Sequence, residues 1–207
     1  MHPFVSSLHV SFVAALHRMV LHLRPKIVIE VGLMRAGSAL GILSALAKIG
    51  SGQLISLNPM QSTDGHNIGR HAIDRAGLSG YHRLIEEFDY LALPQLLAQG
   101  VRAQMAYIDG WHSADYKILD AFDIDKMLDV GGVMAWNDCH FEATKRAINL
   151  MLTHRRYEEI DSGLRPDYTS RWPGGALAKR LIGHNQIDRY FKKTEQWEPN
   201  WDFYATF

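Results

Sequence analysis

The chain has 207 residues, of which 47 % are hydrophobic and 21 % are charged, a composition that suits one well-buried globular α/β domain. Its 22 basic and 22 acidic residues cancel, which argues against a nucleic-acid partner held by a broad basic face. The single cysteine, Cys139, excludes an intramolecular disulfide, and we expect a cytoplasmic location.

The first predicted element is a helix over residues 3–23. Val13, Leu16, Val20 and Leu23 recur at helical spacing, which predicts one apolar face that covers a sheet. Histidine and arginine side chains interrupt the segment, so we expect neither a signal peptide nor a membrane-spanning helix, and no membrane partner.

A strand and a glycine turn follow at residues 27–38, and the rest of the chain is organised around them. The β-branched run 27–31 predicts a strand buried on both faces, and a helix is predicted over 39–49 after Gly37 and Ser38. Glycines let the backbone approach a ligand, and a helix N-terminus offers free N–H groups. The spacing Glu30-x-Gly32-x-x-x-x-Gly37 lacks the dinucleotide pattern, and a carboxylate there suits an ammonium group better than a pyrophosphate. The alternative is a tight turn without a ligand.

Strands and helices then alternate along the chain. Strands are predicted over 53–57, 81–86, 103–108, 132–136 and 157–162, and helices over 65–76, 90–99, 115–127 and 141–154. This alternation predicts βαβ units in an open parallel sheet, whose ligands bind at the carboxyl ends of the strands.

The C-terminal part has a different pattern. Residues 187–193 resemble a basic helix, and the aromatic segment 201–207 predicts a last antiparallel edge strand beside the sixth strand. Tyr168, Trp172 and Trp197 either line a substrate pocket or pack against the sheet, and packing is slightly favoured. The aromatic tail is also a candidate surface for a homodimer.

Polar residues at two strand ends form the strongest candidate site. Asp109 follows the fourth predicted strand, and Asn137 and Asp138 follow the fifth. If these strands are neighbours, three oxygen ligands with two negative charges meet at one place. Such a set suits a hard divalent cation such as magnesium.

The order of these motifs resembles that of the class I S-adenosylmethionine-dependent methyltransferases. Glu30, Gly32 and Gly37-Ser38 resemble their motif I. Asp109 followed by the pair 137–138 is similar to the metal triad of the catechol O-methyltransferase type. The segments 108–112 (Ile-Asp-Gly-Trp-His) and 131–138 resemble the bacterial small-molecule and sugar O-methyltransferases, and the resemblance runs from about residue 28 to 154.

The resemblance implies a single Rossmann-like class I methyltransferase domain over residues 1–207. The expected sheet has seven mainly parallel strands, helices on both faces and an antiparallel C-terminal strand. The implied cofactors are S-adenosylmethionine and a divalent cation, magnesium. The implied partner is a small hydroxylated molecule, a sugar or natural product, that receives the methyl group on oxygen.

The resemblance also implies residue roles. Glu30 would face the methionine amino group, Asn58 would hold the ribose, and Glu86 or Glu87 would contact the adenine. The remaining cofactor contacts would come from Gly32, Gly37, Ser38 and Asp109. The cation would be held by Asp109, Asn137 and Asp138.

His112 and His140 are the candidate proton acceptors, because a histidine near neutral pKa suits removal of a hydroxyl proton. The plainer alternatives are a helix cap for His112 and a solvent-facing helix residue for His140. Cys139 is expected to be a buried, inert thiol.

Two departures from the family pattern leave alternatives open. Asn58 and Asn137 stand where the pattern has carboxylates, which weakens the expected grip on the ribose and on the cation. The alternatives are a metal-independent N- or O-methyltransferase that uses His112 or His140 alone, and a non-catalytic cofactor- or partner-binding module. A nicotinamide oxidoreductase is disfavoured because the dinucleotide fingerprint is missing.

Overall fold

Seven strands form one sheet in the order β3-β2-β1-β4-β5-β7-β6, in a computed structural model that describes residues 10–165, 173–182 and 188–207. The strands are β1 (Ile27–Val31), β2 (Gln53–Leu57), β3 (His82–Ile85), β4 (Ala103–Ile108), β5 (Leu128–Trp136), β6 (Tyr157–Ile160) and β7 (Arg189–Lys193). The helices are α1 (Val10–Leu23), α2 (Gly37–Ile49), α3 (Ile68–Arg75), α4 (Asp89–Ala98), α5 (Ala114–Met127), α6 (Glu142–His154) and α7 (Gly175–Ile182). The predicted alternation of strands and helices is confirmed from β1 to β6.

The sheet is mainly parallel, as predicted. β1 pairs with β2 and with β4 in parallel, β2 with β3, and β4 with β5. β7 lies between β5 and β6 and is antiparallel to both. The carboxyl ends of β1, β2, β4 and β5 therefore meet at one edge of the sheet.

Two apolar cores cover the two faces of the sheet. On one face α1, α2 and α3 pack on side chains such as Val28, Leu54 and Tyr107. On the other face α4, α5 and α6 pack on Ile29 and Ile108. Since successive side chains of a strand point to opposite faces, the two-sided burial explains the continuous apolar runs of the central strands.

The helix predicted over 187–193 is wrong, because residues 189–193 form strand β7. Tyr190 and Phe191 are both fully buried, one in each core, which is the pattern of a central strand. Lys193 is buried as well, and its Nζ lies 3.1 Å from a carboxylate oxygen of Asp125. The three basic residues of this segment are thus Arg189, which pairs with Glu159, an exposed Lys192, and the buried ion-pair partner Lys193.

The edge strand predicted over 201–207 is also wrong. These residues form a turn and extended chain without sheet pairing, and Trp201 is 97 % exposed. Phe203 and Phe207 pack edge-on against His154 at the end of α6.

Trp197 contacts Phe203 and lies under the Arg156 guanidinium, at the edge of the sheet where β7 ends. That edge is opposite to Asp109, so Trp197 packs against the fold and lines no pocket at the site. Tyr168, Trp172 and residues 3–9 of the predicted N-terminal helix lie outside the described residues. In the described part of the chain, no helix is both long and apolar enough to cross a membrane.

Candidate functional site

The glycine turn after β1 packs directly on the end of β4. Gly32 has a φ of 96°, and a Cβ built on it would lie 2.3 Å from the carbonyl oxygen of Asp109. No side chain fits there, so Gly32 allows the two strand ends to approach each other. The turn that follows carries two more positive φ angles, at Met34 and Ala36, before α2 begins at Gly37.

Glu30 lies beneath this turn and is fully buried. Its two carboxylate oxygens accept hydrogen bonds from Ser38 Oγ (2.5 Å) and Ser56 Oγ (2.6 Å). His82 Nε2 lies 3.0 Å from the same Ser56 oxygen. Burial raises the pKa of Glu30 to about 7, although both serine hydrogen bonds act to lower it.

Glu30 and Ser38, both predicted to belong to the cofactor site, are therefore joined by a hydrogen bond. Sequence reasoning missed Ser56 and His82, because only the pairing of β1, β2 and β3 brings them to Glu30. Burial lowers the pKa of His82 to about 4, so this ring is neutral at physiological pH.

Among the predicted cofactor contacts after β2 and β3, Glu86 and Glu87 accept backbone hydrogen bonds in the structure. Asn58 is nearly buried at the end of β2. Glu86 accepts a hydrogen bond from the Ser62 backbone N–H at 2.6 Å, and Glu87 accepts one from the N–H of Phe88 at 2.9 Å. Their contacts with a ribose or an adenine stay predictions.

Gln61 was missed, although it supports the glycine turn. This buried side chain donates to the Met34 carbonyl oxygen at 2.9 Å and accepts from the Gly69 N–H at 3.0 Å. It therefore links the turn after β1 to the start of α3. A glutamine in a loop has no sequence signal for such a role.

Asp109, His112 and Asp138 converge at the ends of β4 and β5. Each offers one ligand atom, and the three atoms lie within 4.8 Å of one another. His112 Nε2 is 3.2 Å from Asp138 Oδ2 and 3.9 Å from Asp109 Oδ1. In the described ranges of the chain, this buried nitrogen has no hydrogen bond of good geometry. The two carboxylates supply the oxygen ligands that magnesium prefers, so Asp109 and Asp138 fit the predicted metal, whereas an imidazole is not a typical magnesium ligand.

Charge at this cluster is shared between two carboxylates and one imidazole. Burial raises the pKa of Asp109. The carboxylates of Asp109 and Asp138 raise the pKa of His112 to about 9. Burial alone would raise the pKa of Asp138, but the facing His112 lowers it. Without another cation, His112 therefore carries a proton at neutral pH, and this state does not suit a general base.

The other predicted residues of this loop lie close by. His140 Nδ1 is 3.8 Å from the second oxygen of Asp138, and the His140 ring stacks on Phe141 at 4.2 Å between centroids. Cys139 is buried, with its Sγ 3.3 Å from the Trp136 carbonyl oxygen. Burial raises the pKa of Cys139 to about 12, which agrees with the predicted inert thiol.

Lys117 is a charged residue that sequence reasoning missed. It is fully buried in α5, and its Nζ has no hydrogen-bond partner among the residues that the structure describes. Burial lowers its pKa, while the charges of Asp120, Asp109 and Asp138 act to raise it. Lys117 thus places an amine whose pKa is lowered in the protein interior, where the carboxylates of Asp109 and Asp138 act on it.

Asn137 was predicted as the third cation ligand, and the structure describes the contact of its amide nitrogen. Nδ2 donates a hydrogen bond to Asp188 Oδ1 at 2.9 Å, and the hydroxyl of Tyr107 donates to Asp188 Oδ2 at 3.1 Å. Asp188 is only 2 % exposed and was not predicted, because the strand that it precedes was read as a helix.

Comparison with known proteins identifies related sequences and folds. A family model described as a methyltransferase domain matches residues 29–139, which is more than half of the chain. A search of curated proteins gives no match to this chain.

Several solved structures share the fold. The O-methyltransferase from Bacillus cereus in complex with SAH superposes with a TM-score of 0.65 at 15 % identity, over 75 % of each chain. TomG, an O-methyltransferase from Streptomyces achromogenes involved in tomaymycin synthesis, in complex with SAM, gives 0.69 at 13 % identity, over 91 % of this chain and 82 % of that one. SAH-bound Podospora anserina PaMTH1 gives 0.63 at 13 % identity, over 87 % and 76 %.

Proposed function

The chain belongs to the methyltransferase domain family and is an S-adenosylmethionine-dependent methyltransferase; we propose that it methylates a hydroxyl group of a small molecule with the help of a divalent cation. The observation that carries the proposal is the convergence of Asp109, His112 and Asp138 at the ends of two neighbouring parallel strands. The O-methyltransferases among the solved structures of the same fold agree with transfer to oxygen.

The cofactor would bind along the edge that the glycine turn opens. S-adenosylmethionine supplies the methyl group. Gly32 keeps side-chain atoms away from the backbone of Asp109, and the N-terminus of α2 presents backbone N–H groups next to Ser38. Glu30 links β1 to α2 and β2 through its two serine partners, and its carboxyl group would face the cofactor's amino group.

Asp109, Asp138 and the carboxamide of Asn137 would hold the cation. Held there, the cation would supply Lewis-acid activation that lowers the pKa of an acceptor hydroxyl. Asp109 and Asp138 supply the negative charge that attracts the ion, and β4 and β5 hold them at fixed positions. The ligands of the cation come from the ends of two rigid strands. The cation would therefore hold the acceptor in a fixed orientation for methyl transfer.

Calorimetric titration tests this proposal. S-adenosylmethionine and S-adenosylhomocysteine are titrated into the full chain in magnesium and then in chelator. We expect both to bind, and the magnesium-dependent part of the heat to disappear in Asp138→Asn. Asp115→Asn, the same chemical change at an exposed residue of α5, serves as the matched control and keeps the wild-type response. If the heat of cofactor binding is the same with magnesium and with chelator in wild type and in both variants, the proposal of metal assistance is contradicted.

A second candidate is metal-independent transfer with a histidine base. The observation that favours a metal-independent site is the pairing of His112 with both carboxylates, which neutralises the cluster without a metal. Because this pairing also keeps a proton on His112, His140 is the better candidate for the base. His112→Gln and His140→Gln separate the two candidate bases. The variant that lacks the base should have a kcat lower by about 100-fold or more, while its affinity for S-adenosylmethionine changes little. Two results together would support this candidate over the first: wild-type protein that stays fully active in chelator, and loss of that activity in only one of the two variants.

A further inference from the structure

Asn137 faces Asp188, a buried carboxylate that comes from the C-terminal part of the chain. β7 runs antiparallel to β5, and Arg189 pairs with Trp136 in the register. The residue before Arg189 therefore lies beside the residue after Trp136. This register places Asp188 next to Asn137 at the edge of the sheet that carries Asp109 and Asp138.

The chemistry of this contact fixes the orientation of the amide. Burial raises the pKa of Asp188 to about 7, yet both of its carboxyl oxygens accept hydrogen bonds, one from Asn137 Nδ2 and one from the Tyr107 hydroxyl. The group that Asn137 presents to Asp188 is therefore the NH₂ and not the carbonyl oxygen. The bond is 2.9 Å long, and both side chains are buried, which strengthens it against exchange with water. The oxygen of the same amide is thereby left for another partner.

We propose that Asp188 is a positioning residue, which holds the carboxamide of Asn137 so that its oxygen serves the divalent cation. The inference rests on the proposed metal-assisted function and adds a residue to it. It gives the C-terminal strand a role in cation affinity, although all predicted ligands come from the ends of β4 and β5. It also explains how an amide serves at position 137, where a freely rotating amide would present nitrogen as often as oxygen.

The neighbouring contacts of Asp188 support this role. Tyr107 donates its hydroxyl to the second carboxylate oxygen, so each oxygen of Asp188 has a separate donor. Asp188 also lines a cavity of about 300 Å³, together with Glu159, Ile160 and Arg189 among others. Partners that orient metal ligands from outside typically change metal affinity by about 10–100-fold when they are replaced.

Manganese is the probe for the test, because its electron paramagnetic resonance signal reports free ion directly. Mn²⁺ is titrated into the full chain in wild type and in Asp188→Leu, which keeps the size but removes the acceptor. We expect the Kd for Mn²⁺ to rise by about 10–100-fold in this variant. Glu159→Gln is the matched control, since it changes a carboxylate in the same cavity that pairs with Arg189 instead of Asn137. Its Kd should stay within about threefold of wild type.

A double variant tests orientation apart from folding. In Asn137→Asp with Asp188→Asn the amide and the carboxylate exchange places, and a carboxylate offers oxygen whichever way it turns. We expect this variant to bind Mn²⁺ at least as tightly as wild type. A Kd ten times weaker than wild type in the exchange variant would overturn the proposal, whether or not Asp188→Leu folds.

The remaining outcomes separate this inference from the function on which it rests. A folded Asp188→Leu protein with the wild-type Kd overturns the positioning role alone and leaves metal assistance intact. Wild-type protein that binds S-adenosylhomocysteine but no Mn²⁺ overturns metal assistance and this inference together. In that case the methyltransferase assignment still stands.

Discussion

Replacing Glu30 with glutamine should change the pH dependence of stability. In the folded chain the pKa of Glu30 is about 7 because burial outweighs its two serine hydrogen bonds, and the nearby charge of Asp109 adds to the rise. The ordinary value is 4.5. At about 1.4 kcal/mol per pH unit, ionising this carboxyl inside the fold costs roughly 3 kcal/mol.

The sign follows from proton binding. Between pH 4.5 and about 7 the unfolded chain has lost the proton of Glu30 while the folded chain still holds it. The contribution of Glu30 to the free energy of unfolding therefore falls as the pH rises through this window and levels off above it. In the folded chain His82, which reaches Glu30 through Ser56, is neutral throughout this window, because burial lowers its pKa from 6.5 to about 4. Its own contribution has the opposite sign and is common to wild type and Glu30→Gln, so the difference between them isolates Glu30. Glu30→Gln has no such titration.

Urea denaturation followed by circular dichroism at several pH values measures the effect. The stability of Glu30→Gln relative to wild type should rise by up to roughly 3 kcal/mol from about pH 4.5 to about pH 7.5. Ile29→Val, which trims the adjacent buried residue, should instead shift the whole curve by about 1 kcal/mol at every pH. A constant difference between Glu30→Gln and wild type across this range would refute the argument.

Two further predictions concern the scaffold of the site. Gly32→Ala should cost about 3 kcal/mol or more, because its Cβ would meet the Asp109 carbonyl at 2.3 Å in a left-handed backbone. Gly77→Ala, with positive φ but open space, should cost only about 1 kcal/mol, and equal losses in thermal denaturation would contradict this account. Asp125→Ala should cost about 3–5 kcal/mol because it leaves the buried ammonium group of Lys193 without its carboxylate. If thermal denaturation of Asp125→Ala shows a loss of only about 1 kcal/mol or less, as for an exposed ion pair, that estimate is contradicted.

The central strands could be predicted from the sequence because each carries a continuous apolar run between turn residues. β7 could not, since only five residues form it and three of them are basic. Its strand state depends on pairing with β5 and β6, and its buried Lys193 depends on a carboxylate from α5. The aromatic tail was misread because aromatic residues also pack well without sheet pairing.

For the site, the rule that ligands gather at strand ends brought Asp109 and Asp138 together correctly, and His112 lies with them. The sequence offered no route to Lys117 or Asp188. Lys117 is a lysine of a helix with mixed charges, and nothing in its spacing indicates complete burial. The contact of Asp188 with Asn137 depends on the antiparallel register of β5 and β7, which the sequence does not reveal.

The most direct test of the account is a crystal structure of the full chain with S-adenosylhomocysteine and Mn²⁺, with anomalous diffraction to locate the metal. The account predicts an anomalous peak bound by the carboxylates of Asp109 and Asp138, with the cofactor lying across the Gly32 turn. A bound cofactor without a peak at these carboxylates would contradict metal assistance. A cofactor bound away from the turn would contradict the assignment of the site itself.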